Sequence, residues 1–305
     1  MLAIGLAVDL ALGEPPPAIH PVVWAGKLGL ALERLAPKRG AGRQLLYGGG
    51  MVFSSVAIFG VGAWLLLRLL ASWSPWAGLL VGGLLLKTTF AVRGLEGAAR
   101  RVRDPLMAGD LGAARRELRS LVSRDASQLG SGLVAAAAVE SLAENTNDSF
   151  VAPLFFYALL GVPGALGYRV LNTFDSMIGY RGHYEYLGKA AARLDDLANL
   201  IPARFTGLLI VLAAPLAGGC LGRAWRLLYH EHAITESPNA GWSMAAMAGA
   251  VGVRLEKVGH YVIGERLPAP AASAIDRAIR LMRRAVVLAI ALYIAVEVPF
   301  GVYLA

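Results

Sequence analysis

One cysteine, Cys220, stands in the whole chain, which excludes an internal disulfide and any cysteine-based metal cluster and leaves that residue to packing. Charge is scarce as well: 16% of residues are Asp, Glu, Lys or Arg, against roughly 25% in an ordinary soluble domain. No internal repeat is visible, and no hydrophilic linker is long enough to divide the chain. The N-terminal apolar run lacks a basic start and meets Asp9 and Glu14 early, so it does not read as a cleavable signal peptide. The net charge of +8 forms no basic stripe interleaved with stacking aromatics, which argues against nucleic acid and for a membrane surface as partner. A Walker-type phosphate loop is missing, since Gly48, Gly49 and Gly50 are not followed by Lys and Ser or Thr.

Hydrophobic residues fill the space, at 56% of the chain, with a mean hydropathy of +0.56. Runs at 45–67, 69–86, 149–168 and 205–222 each approach the ~20 residues a helix needs to cross hydrocarbon, and the stretch 285–305 carries only Glu297. The pattern predicts an all-α, polytopic helical integral membrane protein, one domain over 1–305, with about five to eight membrane-embedded segments. Residues 45–86 read as a hairpin turning near Ser72 to Trp76. The basic residues Lys38, Arg39 and Arg43 before it and Arg93 to Arg124 after it place both ends in the cytoplasm. Residues 94–125 then form a cytoplasmic helical excursion in which Asp110 caps a charged helix running through Arg124. Pro153, Pro163 and Pro215 interrupt the later apolar runs, so broken or re-entrant helices beside a polar cytoplasmic face are expected.

Against this background, residues 140–204 gather Glu140, Glu144, Asp148, Asp175, Asp195 and Asp196 with four arginines, and Asn145, Asn147, Asn172 and Asn199 lie among them. Charges near hydrocarbon are costly unless they pair, bind an ion or face water, so the block is a candidate site. Glu140, Glu144 and Asp148 recur at i, i+4 and i+8, which on a continuous helix puts three carboxylates on one face. They bind Mg²⁺, or they cap the following segment and pair with Arg169 or Arg193. Arg169, Asn172 and Asp175 or Ser176 share a helical face, and Arg193, Asp196 and Asn199 repeat the arrangement. Salt-bridge scaffolding explains such faces as well as phosphate binding does. Two weaker features are a rigid turn from Gly13 through Pro15, Pro16 and Pro17 to His20 and Pro21, and a turn at Ser237 to Trp242 that leads into a small-residue helix at 245–253. His20 is the histidine best placed for chemistry, with a hydrogen-bonded structural role as its alternative.

Five separated stretches together resemble a known family: 9–16 with 20–24 (Asp9, Gly13, Glu14, His20, Trp24), 140–148, 168–177, 192–204, and 237–242. They resemble the adenosylcobinamide-phosphate synthases of cobalamin biosynthesis, the CobD/CbiB proteins, over nearly the whole chain and in the same order. Ser149 and Phe150 stand where a glycine-containing pair is expected, and Phe174 replaces a leucine-like residue; neither change removes a polar group. The resemblance implies a cell (inner) membrane enzyme, multi-pass, with its active face in the cytoplasm. Such an enzyme joins adenosylcobyric acid to (R)-1-aminopropan-2-yl phosphate, with ATP as cosubstrate and Mg²⁺. It further implies Glu140, Glu144 and Asp148 as metal ligands, with Asp195 and Asp196 as a second metal position or as the base for the incoming ammonium. Arg169, Arg181, Arg193 and Arg204 are the expected phosphate ligands, oriented by Asn172 and Asp175, and His20, Asn199 and Asn239 join the substrate-binding set. Trp24, Trp242, Tyr180, Tyr184 and Tyr186 are candidates for a corrinoid floor. The lipid bilayer is a partner, other corrinoid-pathway enzymes and a second copy of the chain are compatible partners, and a corrinoid carrier or scaffold without ligase activity is the competing reading.

Overall fold

The computed structural model describes residues 1–180 and 182–300, the side chains of 298–300 excepted. They fold as an all-α polytopic membrane protein in two compact units, Met1–Ala91 with Ala152–Asn199, and Val92–Val151 with Leu200–Phe300. Among the described residues, three segments are long and apolar enough to cross a membrane, Ala41–Trp73, Pro75–Met107 and Ser131–Ile178, or four if Lys189–Ala198 and Leu200–Ala213 are counted together. Leu2–Ala11 and Ala240–Val251 are apolar but too short to span.

The first unit contains α1 (Leu2–Ala11), α2 (Pro21–Arg34), α3 (Ala41–Trp73), α4 (Pro75–Lys87), α8 (Ala152–Ile178) and α9 (Lys189–Ala198). The expected hairpin is present: α3 ends at Trp73, Ser74 Oγ accepts the Ala77 N–H as a helix cap, and Pro75 opens α4. Pro21 likewise opens α2 after the proline-rich turn. α8 passes Pro153 without a break and kinks at Gly161 (φ 65°, ψ −159°), in a region open only to glycine. Its inner face, Val170, Phe174 and Ile178, packs with Ala25, Met51, Val52 and Ala191 from the neighbouring helices. The first glycine of the 48–50 run serves packing: a Cβ on Gly48 would lie 1.9 Å from the Leu187 carbonyl oxygen, and one on Gly188 1.6 Å from that of Ile178. Gly188→Ala is therefore expected to abolish recovery of folded protein from the membrane, whereas Gly42→Ala, in open space, leaves it unchanged; a detergent size-exclusion profile reads both.

The second unit contains α5 (Val92–Met107), α6 (Leu111–Leu118), α7 (Ser131–Thr146), α10 (Leu200–Ala213), α11 (Leu221–Glu231), α12 (Ala240–Val251) and α13 (Ser273–Phe300). A two-stranded antiparallel ribbon, β1 (Leu255–Lys257) with β2 (Tyr261–Ile263), pairs Leu255 with Ile263. Asp110 caps α6 by accepting the Ala113 N–H at 2.8 Å, but this helix stops at Leu118, short of Arg124. The excursion at 94–125 packs through Ala98, Ala99 and Val102, with α5 lying against α7 and α13. α7 is buried all round at 134–139, as alanine and valine allow, and runs into a π-helical turn, Asn147–Val151. The apolar run 205–222 does not make one helix, since α10 ends at Ala213 and Pro215 starts a short 3-10 turn. Cys220 is exposed at the start of α11 and does not pack. The small-residue helix is α12, where a Cβ on Gly249 would stand 2.6 Å from Arg223 O and one on Gly241 2.0 Å from His232 O.

Candidate active site

In the first unit, the packing of α9 on α8 joins residues that helical spacing had placed on separate faces. Asn172 Nδ2 donates to Asp195 Oδ1 at 3.3 Å and Asn199 Nδ2 to Asp195 Oδ2 at 2.9 Å. Tyr168 donates its hydroxyl to Asn199 Oδ1 at 3.0 Å, and Arg169 Nη1 donates to Asn172 Oδ1 at 3.0 Å. Burying the amides of Asn172 and Asn199 is tolerable because each is bonded, and each bond fixes the next group. The face that α9 turns to α8 thus carries Asp195 and Asn199. Asp196 sits elsewhere, half-buried, with Arg193 as its charged neighbour, and Arg193 itself is exposed. Asp175 folds its carboxylate over Gly179, where a Cβ would come within 2.0 Å of Oδ1. Arg181 lies outside the described residues.

A second cluster in this unit surrounds Lys87, at the end of α4. Lys87 and Asp9 are each 1% exposed, and the ammonium lies 3.1 Å from Asp9 Oδ1, 2.7 Å from Glu14 Oε1 and 3.0 Å from Phe90 O. Glu14 Oε2 in turn accepts from His20 Nε2 at 3.3 Å. Burial works against the charged form of Glu14, but the hydrogen bonds from His20 and Lys87 outweigh it and hold the carboxyl below its usual range. A depressed carboxyl stabilises the fold above the unfolded-state value of about 4.3 and loses that contribution as pH falls through the lower folded value. The melting temperature of the wild type should therefore exceed that of Glu14→Gln at pH 7, with the gap closing under acid conditions; melting curves of both proteins across pH in one detergent check this.

In the second unit, Glu140 is 6% exposed and its Oε2 accepts from Arg124 Nη2 at 2.8 Å. Tyr261, brought by β2, lies against the same carboxylate. Burial, followed by the charges of Glu140 and Glu144, pushes its hydroxyl well above the usual tyrosine range, so it stays neutral and can donate. Glu144 is exposed and Asp148 half-buried on the π turn. Asn147 is held there by Thr206, whose hydroxyl donates to Asn147 Oδ1 at 3.0 Å, and Asn147 Nδ2 donates to Asp148 Oδ1 at 2.8 Å. A π turn inside a helix often marks a functional position. Among the described residues, no three His, Cys, Asp or Glu side chains gather to hold a metal by themselves. Mg²⁺ carried with phosphates needs only one or two carboxylates, which Glu144 and Asp148 can supply.

Arg204 and Asn239 also come together in the second unit. Arg204 Nη1 donates to Leu200 O at 2.6 Å and more distantly, at 3.4 Å, to Asn239 Oδ1, and its guanidinium lies 4.8 Å from the Trp242 ring centre. His232 stacks on the same indole at 4.0 Å. Trp242 therefore already has ring partners, and Tyr184 donates to Glu33 at 2.6 Å, while Trp24, Tyr180 and Tyr186 remain exposed. Lys87, Arg124, Tyr261 and Thr206 are the residues that sequence reasoning missed, and each acts through partners distant in the chain.

A family model for CobD/Cbib proteins matches residues 2–288. The chain is 48% identical over 262 residues to a cobalamin biosynthesis protein CobD of Dehalococcoides mccartyi, covering 86% of this chain and 85% of the relative. It is 41% identical to a CobD of Rhodobacter capsulatus, with 93% of each covered. A cobalamin biosynthesis protein CbiB of Salmonella choleraesuis is 40% identical, with 96% of this chain and 95% of that protein covered. No solved structure matches the chain.

Proposed function

The chain belongs to the CobD/CbiB family, with a role in cobalamin biosynthesis, and on that premise we propose that it is the ligase joining adenosylcobyric acid to (R)-1-aminopropan-2-yl phosphate. The observation that carries the reading is the bonded chain Arg169, Asn172, Asp195, Asn199 and Tyr168, which holds a guanidinium and a carboxylate in fixed orientation within a protein rich in hydrocarbon. A carboxylate does not condense with an amine at neutral pH because its oxygen leaves poorly. Transfer of the γ-phosphoryl of ATP to that oxygen makes an acyl phosphate, and catalysis then consists of positioning and charge neutralisation.

In the first unit Arg169 and Arg193 are the phosphate ligands, and in the second Arg204 with Asn239. Glu144 and Asp148 would hold Mg²⁺, which would supply charge neutralisation at phosphoryl oxygens. Asp195, with both oxygens committed to amide donors, positions Asn172, and Asn172 positions Arg169. Asp196, half-buried beside Arg193, is the second acid of the pair and a candidate base for the incoming ammonium. Glu140, held by Arg124 and Tyr261, supports Glu144 from within. The basic segments flanking the 45–86 hairpin support a cytoplasmic location for the chemistry, where ATP is available.

The test is reconstitution. Purified protein in detergent receives adenosylcobyric acid, the aminopropanol phosphate, ATP and Mg²⁺, and corrinoid mass is followed. The expected product is adenosylcobinamide phosphate. Tight corrinoid binding without any product from folded protein would favour a carrier or scaffold instead.

A further inference from the structure

The ribbon of β1 and β2, in the second unit, carries a cation that the chemistry above does not use. Its register pairs Leu255 with Ile263, Glu256 with Val262 and Lys257 with Tyr261. Residues opposite one another across an antiparallel pair project to the same face, and alternate residues along a strand share it. Leu255, Lys257, Tyr261 and Ile263 therefore occupy one face, with Glu256 and Val262 on the other. Leu255 and Ile263 are fully buried and β1 lies against α7, so this face is the one turned to that helix. Tyr261 agrees with that direction, because its hydroxyl lies close enough to Glu140 and Glu144 to feel both charges. Lys257, directly opposite Tyr261, is a charged neighbour of Glu140.

The other basic side chains around this cluster are engaged. Arg124 donates to Glu140 at 2.8 Å, Arg254 pairs with Glu256 at 3.2 Å and His260 lies 3.0 Å from Glu236. Among the described residues, no side chain makes a hydrogen bond or a close ion pair with the Lys257 ammonium. Lys257 is half-buried, and Glu144 and the ribbon tip at Val258, Gly259 and His260 are exposed, so this end of the cluster opens at the surface. The tip also adjoins the turn that places Asn239, since His260 reaches Glu236, three residues before it. An ammonium fixed near carboxylates without bonding to them is open to a ligand of higher negative charge. A phosphate dianion is such a ligand, and lysine binds it as a point charge, without the fork geometry that arginine brings.

We propose that Lys257 binds a terminal phosphate dianion at the exposed end of this cluster, beside Glu144. The inference rests on the ligase reading, in which two substrates carry such a group: ATP, at its γ-phosphate, and the aminopropanol phosphate. Lys257 keeps its protons throughout. It neutralises charge on the phosphate oxygens and forms no covalent bond. Leu255, Ile263 and Tyr261 are positioning residues, because they fix the strand that carries it.

The experiment measures equilibrium binding of ATP, ADP and the aminopropanol phosphate, each with Mg²⁺ and without corrinoid, to the wild type, Lys257→Met and Lys257→Arg in detergent. Lys257→Met is expected to weaken binding of one of the two substrates by about 10-fold or more at an unchanged melting temperature, and Lys257→Arg to recover most of it. Loss for ATP with ADP unchanged identifies the γ-phosphate as the bound group. Loss for the aminopropanol phosphate alone identifies the phosphate of the amine substrate. Unchanged affinity for both substrates, equal weakening of ATP and ADP, or a folded wild type that binds neither substrate overturns the proposal. Amide formation by the wild type decides the ligase reading separately. Should Lys257→Met fail to fold, acetylation of Lys257 in the wild type, read by peptide mass, decides: ATP or the aminopropanol phosphate should protect it, and equal labelling with and without them overturns the proposal.

Discussion

Lys87→Met lowers the stability of the detergent-solubilised protein by about 3–5 kcal/mol, the cost of leaving a buried charge without its partner. Asp9 is 1% exposed and has Lys87 as its ion-pair partner at 3.1 Å, and the same substitution takes a hydrogen bond from Glu14 and another from the Phe90 carbonyl. Replacing both buried groups, in Lys87→Met with Asp9→Leu, restores part of the loss because the buried carboxylate goes with its ammonium, while Glu14 keeps only His20 of these partners. Thermal or denaturant unfolding of the single and double variants reads the difference directly. A single variant as stable as the wild type would mean that water or another cation already satisfies Asp9.

The second large effect separates two acids one turn apart. Glu144 is exposed, so Glu144→Gln leaves the fold intact and lowers turnover. Loss of one ligand to a phosphate-bound metal is worth several kcal/mol of transition-state charge stabilisation, about 10²–10³-fold in rate. Glu140 behaves in the opposite way. With its carboxylate on Arg124 and beside Tyr261, Glu140→Ala leaves a guanidinium without its partner and loosens the contact between α7 and β1, so yield and melting temperature fall first. Melting curves together with initial rates under saturating substrates distinguish the two. A Glu144→Gln protein with wild-type turnover would remove Glu144 from the metal set.

Local chemistry was legible wherever neighbouring residues determine it. The turn at Ser74, the Asp110 cap and the rigid turn from Gly13 to Pro21 follow from residues within a few positions of each other, and the structure places all three as the sequence indicated. Choosing between Asp195 and Asp196 was beyond local reasoning. Adjacent residues point about 100° apart on a helix, and only the packing of α9 on α8 decides that Asp195 meets Asn172. The π turn that carries Asp148 had no local signal either; its Asn147 accepts from Thr206, far away in sequence. Lys87 ends an apolar run, where a lysine ordinarily snorkels to the interface. Its partner Glu14 lies 73 residues away, so nothing near Lys87 announces a buried ion cluster. Tyr261 reaches Glu140 on a ribbon of three-residue strands, too short for a periodic signal.

The claim at the centre of this account is that the corrinoid carboxylate is activated by phosphoryl transfer before the amine attacks. Adenosylcobyric acid carrying heavy oxygen in its free carboxylate tests it most directly. Reaction with ATP, Mg²⁺ and the aminopropanol phosphate should yield the amide together with ADP, and one heavy oxygen should appear in the inorganic phosphate for each amide formed. Amide formation with unlabelled phosphate, or with the label in AMP, would contradict the acyl-phosphate route, and retention of all label in unreacted acid by folded protein would contradict the ligase assignment.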